Sequence, residues 1–533
     1  MNILLINPSP MPLGEIDLYI RQQSNLRSPD YMMPLSVMLL ASMIRDNCKR
    51  VNKIQILDIA KELTLYTRNS QSTLQSFINY CLSKAAFLPD IVGISLTFSS
   101  AHNLTLYLAD AIKTKWRNTK VMIGGNHATN MYKKLLEDKN INYVFRGPAE
   151  STIVEFIDNY NSIDPTSIQG VYNFNKAKLQ NKAELGKELD INDLPMPAYD
   201  LIDMVDYRKL GFASIMFGRG CPFNCFFCCV HSMYGRKVRY KNNERIINEL
   251  KYLNSNFGFD TFLIVDDFFP PPKPILLDLV EKVKSLSFNF KFSIIQGTAV
   301  SLLDEEIIDA LISLGCKSFS LPIETGCEYT MKNIINKNIS LDHVRKILRI
   351  LRNKKVEINV FFILGFPRET KELMQETINF INSIDVDWVY IFYAMPFPGS
   401  RMLKELEETG ILDSNKIDWD TFRFGIRGYD TPEISAKDLE ELIYDTNIIR
   451  NFFNNSNLHN GRYEKAIQDF DGILKKYPFH IPARYCKIQA LEKMGEKSEP
   501  EFDTCLEWIR GDKESKRLYE RYIEYMPELK NRI

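Results

Sequence analysis

The chain has 533 residues, 45% hydrophobic and 25% charged, a balance that suits two to four globular domains with a large buried core. Lys and Arg total 67, as do Asp and Glu, so no global basic field is present to attract nucleic acid. No apolar run reaches the roughly 20 residues that span a bilayer. The opening MNILLINPSP reads as an apolar strand and not a signal peptide, and the ten cysteines lack the spacing of a secreted disulfide framework. A reducing cytoplasm is the expected setting.

From the N-terminus, apolar strands are predicted at 2–7, 54–58, 91–97, 120–124 and 143–146, separated by helical patterns such as LTLYLADAIKTKW. Continuous apolar strands alternating with helices predict a parallel sheet covered on both faces. The reading is a Rossmann-like domain over 1–161. Residues 162–207, polar and then proline-bearing (LPMPAYDLIDM), read as a linker along the surface. Over 208–412 the alternation resumes, with strands predicted at 213–218, 261–266, 290–296, 317–322, 356–365 and 387–395. The helix DEEIIDALISLG between two of them closes on Gly315. Six such units make a partial (β/α)6 barrel of the TIM type, whose sites lie at strand ends.

From 413 to 533 the chain is mainly helical. Gly461, Tyr463, Ala466, Phe470, Ile473 and Pro478 sit at the spacing of a tetratricopeptide repeat. One good copy is visible, and such repeats lean on neighbours. The segment is either a helical hairpin packed on the barrel or a surface for a protein partner. The fold class is therefore α/β: a Rossmann-like parallel sheet domain, a partial barrel and a C-terminal α-helical region.

The chemistry is concentrated in SIMFGRGCPFNCFFCCVHSMYG. Cys221, Cys225 and Cys228 form C-x3-C-x2-C, with Gly218 and Gly220 before them and Pro222 after the first, which favours a loop following a strand. A loop can curl three thiolates around one cubane. A [4Fe–4S] cluster normally takes four cysteines, so three leave one iron open for a substrate. A zinc site would recruit Cys229 or His231 as its fourth ligand, but zinc ribbons pair two C-x2-C knuckles and no second knuckle is present. Cys229 directly follows Cys228 and reads as packing.

This motif resembles the hallmark of the radical S-adenosylmethionine (SAM) superfamily, and Phe227 before the third cysteine fits it as well. The resemblance implies that the open iron chelates SAM, and that an electron from the cluster cleaves SAM to a 5′-deoxyadenosyl radical. It extends over about 213–406. In FLIVDDFF, Asp266 and Asp267 match the position that receives the SAM amino group, a sensible carboxylate–ammonium pairing, with a helix N-cap as the alternative. In LPIETGCE, Glu324, Thr325 and Gly326 match an E-x-G pattern near the SAM ribose and methionine. In GFPRE, Gly365, Pro367 and Glu369 match a turn on the adenine side. Pro396, Pro398, Gly399 and Ser400 match a P-x-P-G-[ST] loop.

A Rossmann-like domain before such a barrel resembles the cobalamin-binding class. YMMPLSVMLLASMIRD is similar to its first helix region, with Ser36 where Gly is common. Ser95 and Thr97 end the third strand, Gly124 and Gly125 follow the fourth, and Gly147 and Glu150 follow the fifth. Gly-Gly suits close approach of a flat ligand. No D-x-H-x-x-G supplies a cobalt-ligating histidine, as is common in this class, and His127 is expected to contact ligand or backbone. The alternative is a domain that has lost its corrinoid.

What the resemblance implies is a cobalamin-dependent radical SAM methyltransferase. The radical takes a hydrogen from an unactivated carbon, the carbon collects a methyl group from cobalt, and a second SAM restores it. The cofactors implied are a [4Fe–4S] cluster, SAM and cobalamin. The partners are a small-molecule or peptide substrate and an electron donor such as flavodoxin or ferredoxin. Cyclisation or rearrangement without methyl transfer is the competing reaction. Methylthiotransfer is disfavoured, because the N-terminal domain offers only Cys48 and Cys81. A non-catalytic iron–sulfur scaffold is the remaining alternative. The aromatic stretches WVYIFY and TFRFG read either as core or as pocket lining.

Overall fold

The structure, a computed structural model, describes every residue except 22–30, 70, 181–182, 287, 289, 295–296, 422–426, 531 and 533. The fold is α/β with parallel sheets. The chain divides into two compact units. The first holds Met1–Cys316, Ile334–Asn338 and Ala394–Thr431; the second holds Lys317–Asn333, Ile339–Tyr393 and Pro432–Ile533.

In the first unit, strands β1 (Asn2–Asn7), β2 (Lys53–Asp58), β3 (Ile91–Ser95), β4 (Lys120–Gly124) and β5 (Tyr143–Phe145) lie in the order β2-β1-β3-β4-β5, all parallel. Their unbroken apolar runs are explained by burial on both faces: Ile3, Leu4, Ile6, Val92, Val121 and Ile123 have no exposed surface. One cover is the helix Leu35–Asn47, which buries Val37, Met38, Ala41 and Ile44. The order reverses between β1 and β3, and such a reversal opens a crevice beyond the carboxyl ends of the strands.

The stretch 162–207, expected as a surface linker, does more than connect. It contributes β6 (Val171–Tyr172), antiparallel to β5, and buries Tyr199 and Tyr207. A two-residue strand leaves too short a pattern to be seen in sequence.

After it come β7 (Ala213–Ile215) and a small antiparallel ribbon of β8 (Gly218–Arg219) with β9 (Arg239–Tyr240). The expected single strand at 213–218 is broken because the Phe217 N–H donates to Asp266 Oδ1 at 2.7 Å and leaves the ladder. β10 (Thr261–Ile264) and β11 (Lys291–Ile294) complete a three-stranded parallel sheet, β11-β10-β7. The last residues of the strand expected at 290–296 lie outside the described residues.

In the second unit, β12 (Ser318–Glu324), β13 (Glu357–Leu364) and β14 (Trp388–Tyr393) form a parallel sheet in that order. WVYIFY is this last strand: Tyr390 and Phe392 stack on Phe361, and Trp388 meets Phe452 edge-on. TFRFG falls almost wholly outside the described residues. The repeat-like segment forms the hairpin Tyr463–Lys476 and Ile481–Met494, with Ala466 and Phe470 fully buried. A second hairpin, Glu499–Gly511 and Lys513–Tyr522, stacks on it through Phe502, Cys505 and Leu518. This is the neighbour a lone repeat lacks. Arg450 is fully buried and pinned by carbonyls: Nε donates to Ile381 O (3.1 Å), Nη1 to Asn454 O (2.9 Å) and Nη2 to Ile384 O (3.0 Å). Asn451 bridges both backbone groups of Val389 in β14. Among the described residues, no helix is long and apolar enough to cross a membrane.

Candidate active site

A cavity of about 310 Å³ lies within the first unit at the carboxyl ends of β3, β4 and β5. Ser95, Thr97, Gly124, Gly125, Gly147 and Glu150 all line it, as does Asp267 from the loop after β10. Its floor runs along the sheet past Leu5, Gly93 and Met122, beneath Val37 and Leu40 of the helix Leu35–Asn47. A Cβ on Gly93 would come within 2.9 Å of the Leu5 side chain, which would have to shift. The slot is mainly apolar, with a few convergent polar groups at its mouth, the usual character of a cofactor site.

Gly125 has φ +111, and a Cβ there would stand 2.5 Å from the Leu96 carbonyl oxygen. The turn into the helix Asn126–Leu135 therefore admits only glycine. Gly125→Ala is expected to cost about 1–3 kcal/mol and to displace the loop at the cavity mouth. Urea unfolding and hydroxocobalamin retention check this; a variant with unchanged values would contradict the packing argument.

His127, expected to meet ligand or backbone, has both ring nitrogens engaged by side chains. It lies on that helix, buried, with Nε2 2.9 Å from His102 Nδ1 and Nδ1 2.8 Å from Ser99 Oγ. Trp419 packs on both rings. Burial pushes His102 down to about 4 and His127 well below the ordinary histidine range. The unfolded chain, with histidines near 6.5, binds protons first. The pair's contribution to stability is therefore complete above about pH 6.5 and is lost as the pH falls towards the lowered values. Urea midpoints at pH 7 and pH 5 should fall less in His127→Gln than in the parent. Equal falls would count against the pair.

The cysteine loop is an excursion closed at its base by β8 and β9, where Arg219 pairs with Arg239. It is latched on several sides. Phe226 N–H donates to Ile335 O (2.9 Å) and Met402 N–H to Phe226 O (3.0 Å). Asp267 Oδ2 accepts from Gly220 N–H (3.2 Å). Cys225 is buried, Cys221 and Cys228 are partly so, and all three are unbridged. Burial pushes the thiols of Cys221 and Cys228 up, and the charges of Cys229, Cys225 and Cys221 add to the effect at Cys228. Among the described residues, no three Cys, His, Asp or Glu side chains already cage a common point. The three thiols share a loop and each other's electrostatic range, and thiolates so placed are stabilised by a bound cation. That donor set suits iron. Cys229 accepts from Asn126 Nδ2 (3.1 Å), a packing role as expected.

The acidic pair divides. Asp267 faces the cavity, whereas Asp266 is not among its lining residues. Asp266 Oδ1 holds the Phe217 N–H, its Oδ2 is buried without a hydrogen-bond partner among the described residues, and burial raises the carboxyl well above the ordinary range. Glu150 lines the cavity, but its carboxylate is engaged: Arg219 Nη1 lies 2.5 Å from Oε1, with both side chains buried. Sequence reasoning missed Arg219, Asn126 and Tyr234, which also line the cavity; Arg219 within GRGC was the available signal.

Glu324, Gly326, Gly365 and Pro367 belong to the second unit, at the carboxyl ends of β12 and β13. Glu324 has φ +74, an uncommon conformation for a non-glycine residue and one often found at functional sites. Gly326 N–H and Thr325 Oγ1 both bond to Thr377 Oγ1 (3.1 and 2.8 Å), and a Cβ on Gly326 would strike Phe380. Glu369 Oε2 accepts from Gly365 and Phe366 N–H (2.8 and 3.1 Å), closing the turn that contains Pro367. In the first unit, Gly399 presses on Asn130 and Ser400 caps the helix Arg401–Glu408.

Comparison with known proteins places two domains on this frame. Residues 28–157 match the B12 binding domain and residues 215–381 the radical SAM superfamily. The chain is 28% identical over 374 residues to an uncharacterized methyltransferase, PH0819, of Pyrococcus horikoshii, covering 69% of this chain and 77% of that one. It is 26% identical over 461 residues to the cytidylyl-2-hydroxyethylphosphonate methyltransferase of Streptomyces wedmorensis, covering 77% and 82%. Its fold is similar to that of the cobalamin-dependent SAM radical enzyme OxsB with aqua-cobalamin bound, with TM-score 0.65, 15% identity, and coverage of 100% of this chain and 76% of that one.

Proposed function

Starting from a chain that belongs to the radical SAM enzymes with a B12 binding domain, we propose that it is a cobalamin-dependent methyltransferase acting on an unactivated carbon of a small-molecule or peptide precursor. The observation that carries this reading is the single cavity shared by Ser95, Thr97, Gly124, Gly125, Gly147 and Glu150 of the first sheet and Asp267 beside the cysteine loop. The methyltransferase relatives favour methyl transfer over cyclisation. When bound, the cofactors supply the electron, the radical and the methyl group, and the protein supplies position and dryness.

The residues divide that work. Cys221, Cys225 and Cys228 would hold the cluster. Asp267, which fixes the loop through Gly220, would receive the SAM amino group together with Asp266, the latter buried against the Phe217 backbone. Glu324, Gly326, Gly365 and Pro367 would serve the remainder of SAM. The glycine-lined cleft would take the corrinoid. On this reading 1–161 is the Rossmann-like cobalamin domain, 162–207 a connection, and 208–412 the partial barrel. Residues 413–533 form the helical region.

The test is corrinoid bound per chain after anaerobic reconstitution with iron, sulfide and hydroxocobalamin. Near-stoichiometric retention supports the reading. Loss of corrinoid with the cluster intact would reduce the first sheet to a scaffold.

A further inference from the structure

We propose that a side chamber of the cofactor cavity is the substrate pocket, and that it seats an apolar group ending in a neutral carbonyl acceptor, a carboxamide above all. The inference rests on the methyltransferase reading, which requires the substrate carbon to lie beside both cofactors.

The chamber has a volume of about 170 Å³ and lies wholly within the first unit. Leu35 and Leu39 of the helix Leu35–Asn47 line it together with Leu194, Pro195 and Pro197 of the connecting stretch. Ser36, Met216, Arg219, Tyr234 and Val265 line both the chamber and the larger cavity, so the two spaces share a border. An apolar cavity of about 150 Å³ takes a benzene-sized group, and this one is of that order.

The polar groups at the border are donors with protons to give. Arg219 is 7% exposed. Its Nη1 donates to Glu150 Oε1 (2.5 Å) and its Nε to Met216 Sδ (3.4 Å), which leaves Nη2 without a partner among the described residues. The Tyr234 hydroxyl also has none among them. A buried guanidinium with an idle N–H pair is costly until an acceptor enters.

Acceptors on the chamber wall are already occupied. Glu249 takes Lys241 Nζ on Oε2 and the Tyr199 hydroxyl on Oε1, both at 2.7 Å. The Leu194 carbonyl accepts from Arg245 and the Pro197 carbonyl from the Tyr199 N–H. Charge then separates the classes of acceptor. Arg219 is matched by Glu150 and Lys241 by Glu249, each pair buried. An entering anion would lose its water and meet no net positive charge, and a cation would meet donors. A neutral carbonyl takes the idle protons without either cost. Arg219 precedes Cys221 by two residues, so a group held there lies beside the cysteine loop.

The probes are benzamide, benzoate, benzylamine and toluene, titrated on the full chain reconstituted with iron, sulfide and hydroxocobalamin and followed by saturation-transfer nuclear magnetic resonance. Benzamide should bind about tenfold or more tightly than benzoate or benzylamine. Tyr234→Phe should weaken benzamide about three- to tenfold and leave toluene unchanged, whereas Leu35→Trp, at a half-buried position, should exclude both. Equal affinity for benzamide and benzoate would overturn the proposal, as would benzamide binding indifferent to both substitutions. Cobalamin carries carboxamide arms of its own, so the titration is repeated without hydroxocobalamin. Equal benzamide affinity in the two states assigns the chamber to substrate. Expulsion of benzamide by hydroxocobalamin would give the chamber to the corrinoid and overturn the assignment. Failure of the methyltransferase reading looks different: the parent would retain no corrinoid while its preference for benzamide, and the effects of both substitutions, persisted.

Discussion

Cys225→Ser is expected to fold and to lose the cluster, with iron after reconstitution falling from about four atoms per chain to near zero and reductive SAM cleavage vanishing with it. Cys225 is buried in a loop whose backbone is held from outside the motif, through Phe226 to Ile335 and Met402. The loss of one sulfur should therefore remove a ligand without collapsing the fold. Cys229→Ser is the matched control. Its sulfur accepts from Asn126, a serine oxygen can do the same, and iron and SAM cleavage should persist. Iron assay, electron paramagnetic resonance and 5′-deoxyadenosine release read both. Retention of a full cluster in Cys225→Ser would refute the assignment, and loss of iron in Cys229→Ser would redraw the ligand set.

The second large effect is expected at Glu150. The carboxylate meets Arg219 at 2.5 Å with side-chain exposures of 8% and 9%, so neither charge has water to fall back on. Truncating one partner leaves the other buried and unpaired, at a cost of about 3–5 kcal/mol. Glu150→Ala should therefore be severely destabilised, whereas Glu150→Leu combined with Arg219→Met should recover most of the loss. Hydrogen-exchange protection of the helix Glu150–Asp158 is the local readout. The pair ties the start of this helix, which follows β5, to the residue that precedes the cysteine loop by one glycine. The double variant, stable but untied, should retain iron while binding hydroxocobalamin more weakly. A single variant as stable as the parent would show that water reaches the pair.

Much of this was legible in the sequence. Strands such as NILLIN and KVMIG form where their apolar runs predict, because burial on both faces leaves no polar positions to blur them. The shared cavity of the Ser95, Gly124 and Gly147 loops follows from the parallel order, which places every strand's carboxyl end on one side. Other features needed coordinates. The Arg219–Glu150 pair joins residues 69 apart in sequence, and no local pattern encodes such a contact. Asp266 and Asp267 look interchangeable as letters; only the break after β7 separates one that faces the cavity from one that is buried against the Phe217 backbone. Gly125 and His127 stand two residues apart in one motif, yet the first lines the mouth and the second belongs to the core. The second helical hairpin lacks the repeat signature because its contacts use Phe502, Cys505 and Leu518 at positions the consensus does not list.

Arg450 and Asn451 bear on how such a chain can be shortened over generations. Arg450 satisfies the carbonyls of Ile381 and Ile384 at the end of the helix Lys371–Ser383, and Asn451 satisfies Val389 inside β14. A reading frame interrupted before Pro432 would strip these partners away and orphan backbone groups on elements that the deletion itself leaves untouched. The helical tail is thus no appendage that erosion of the gene could trim while sparing the β12–β14 sheet. Losing the one would unseat the other, and natural truncations of this kind should be rare among active relatives.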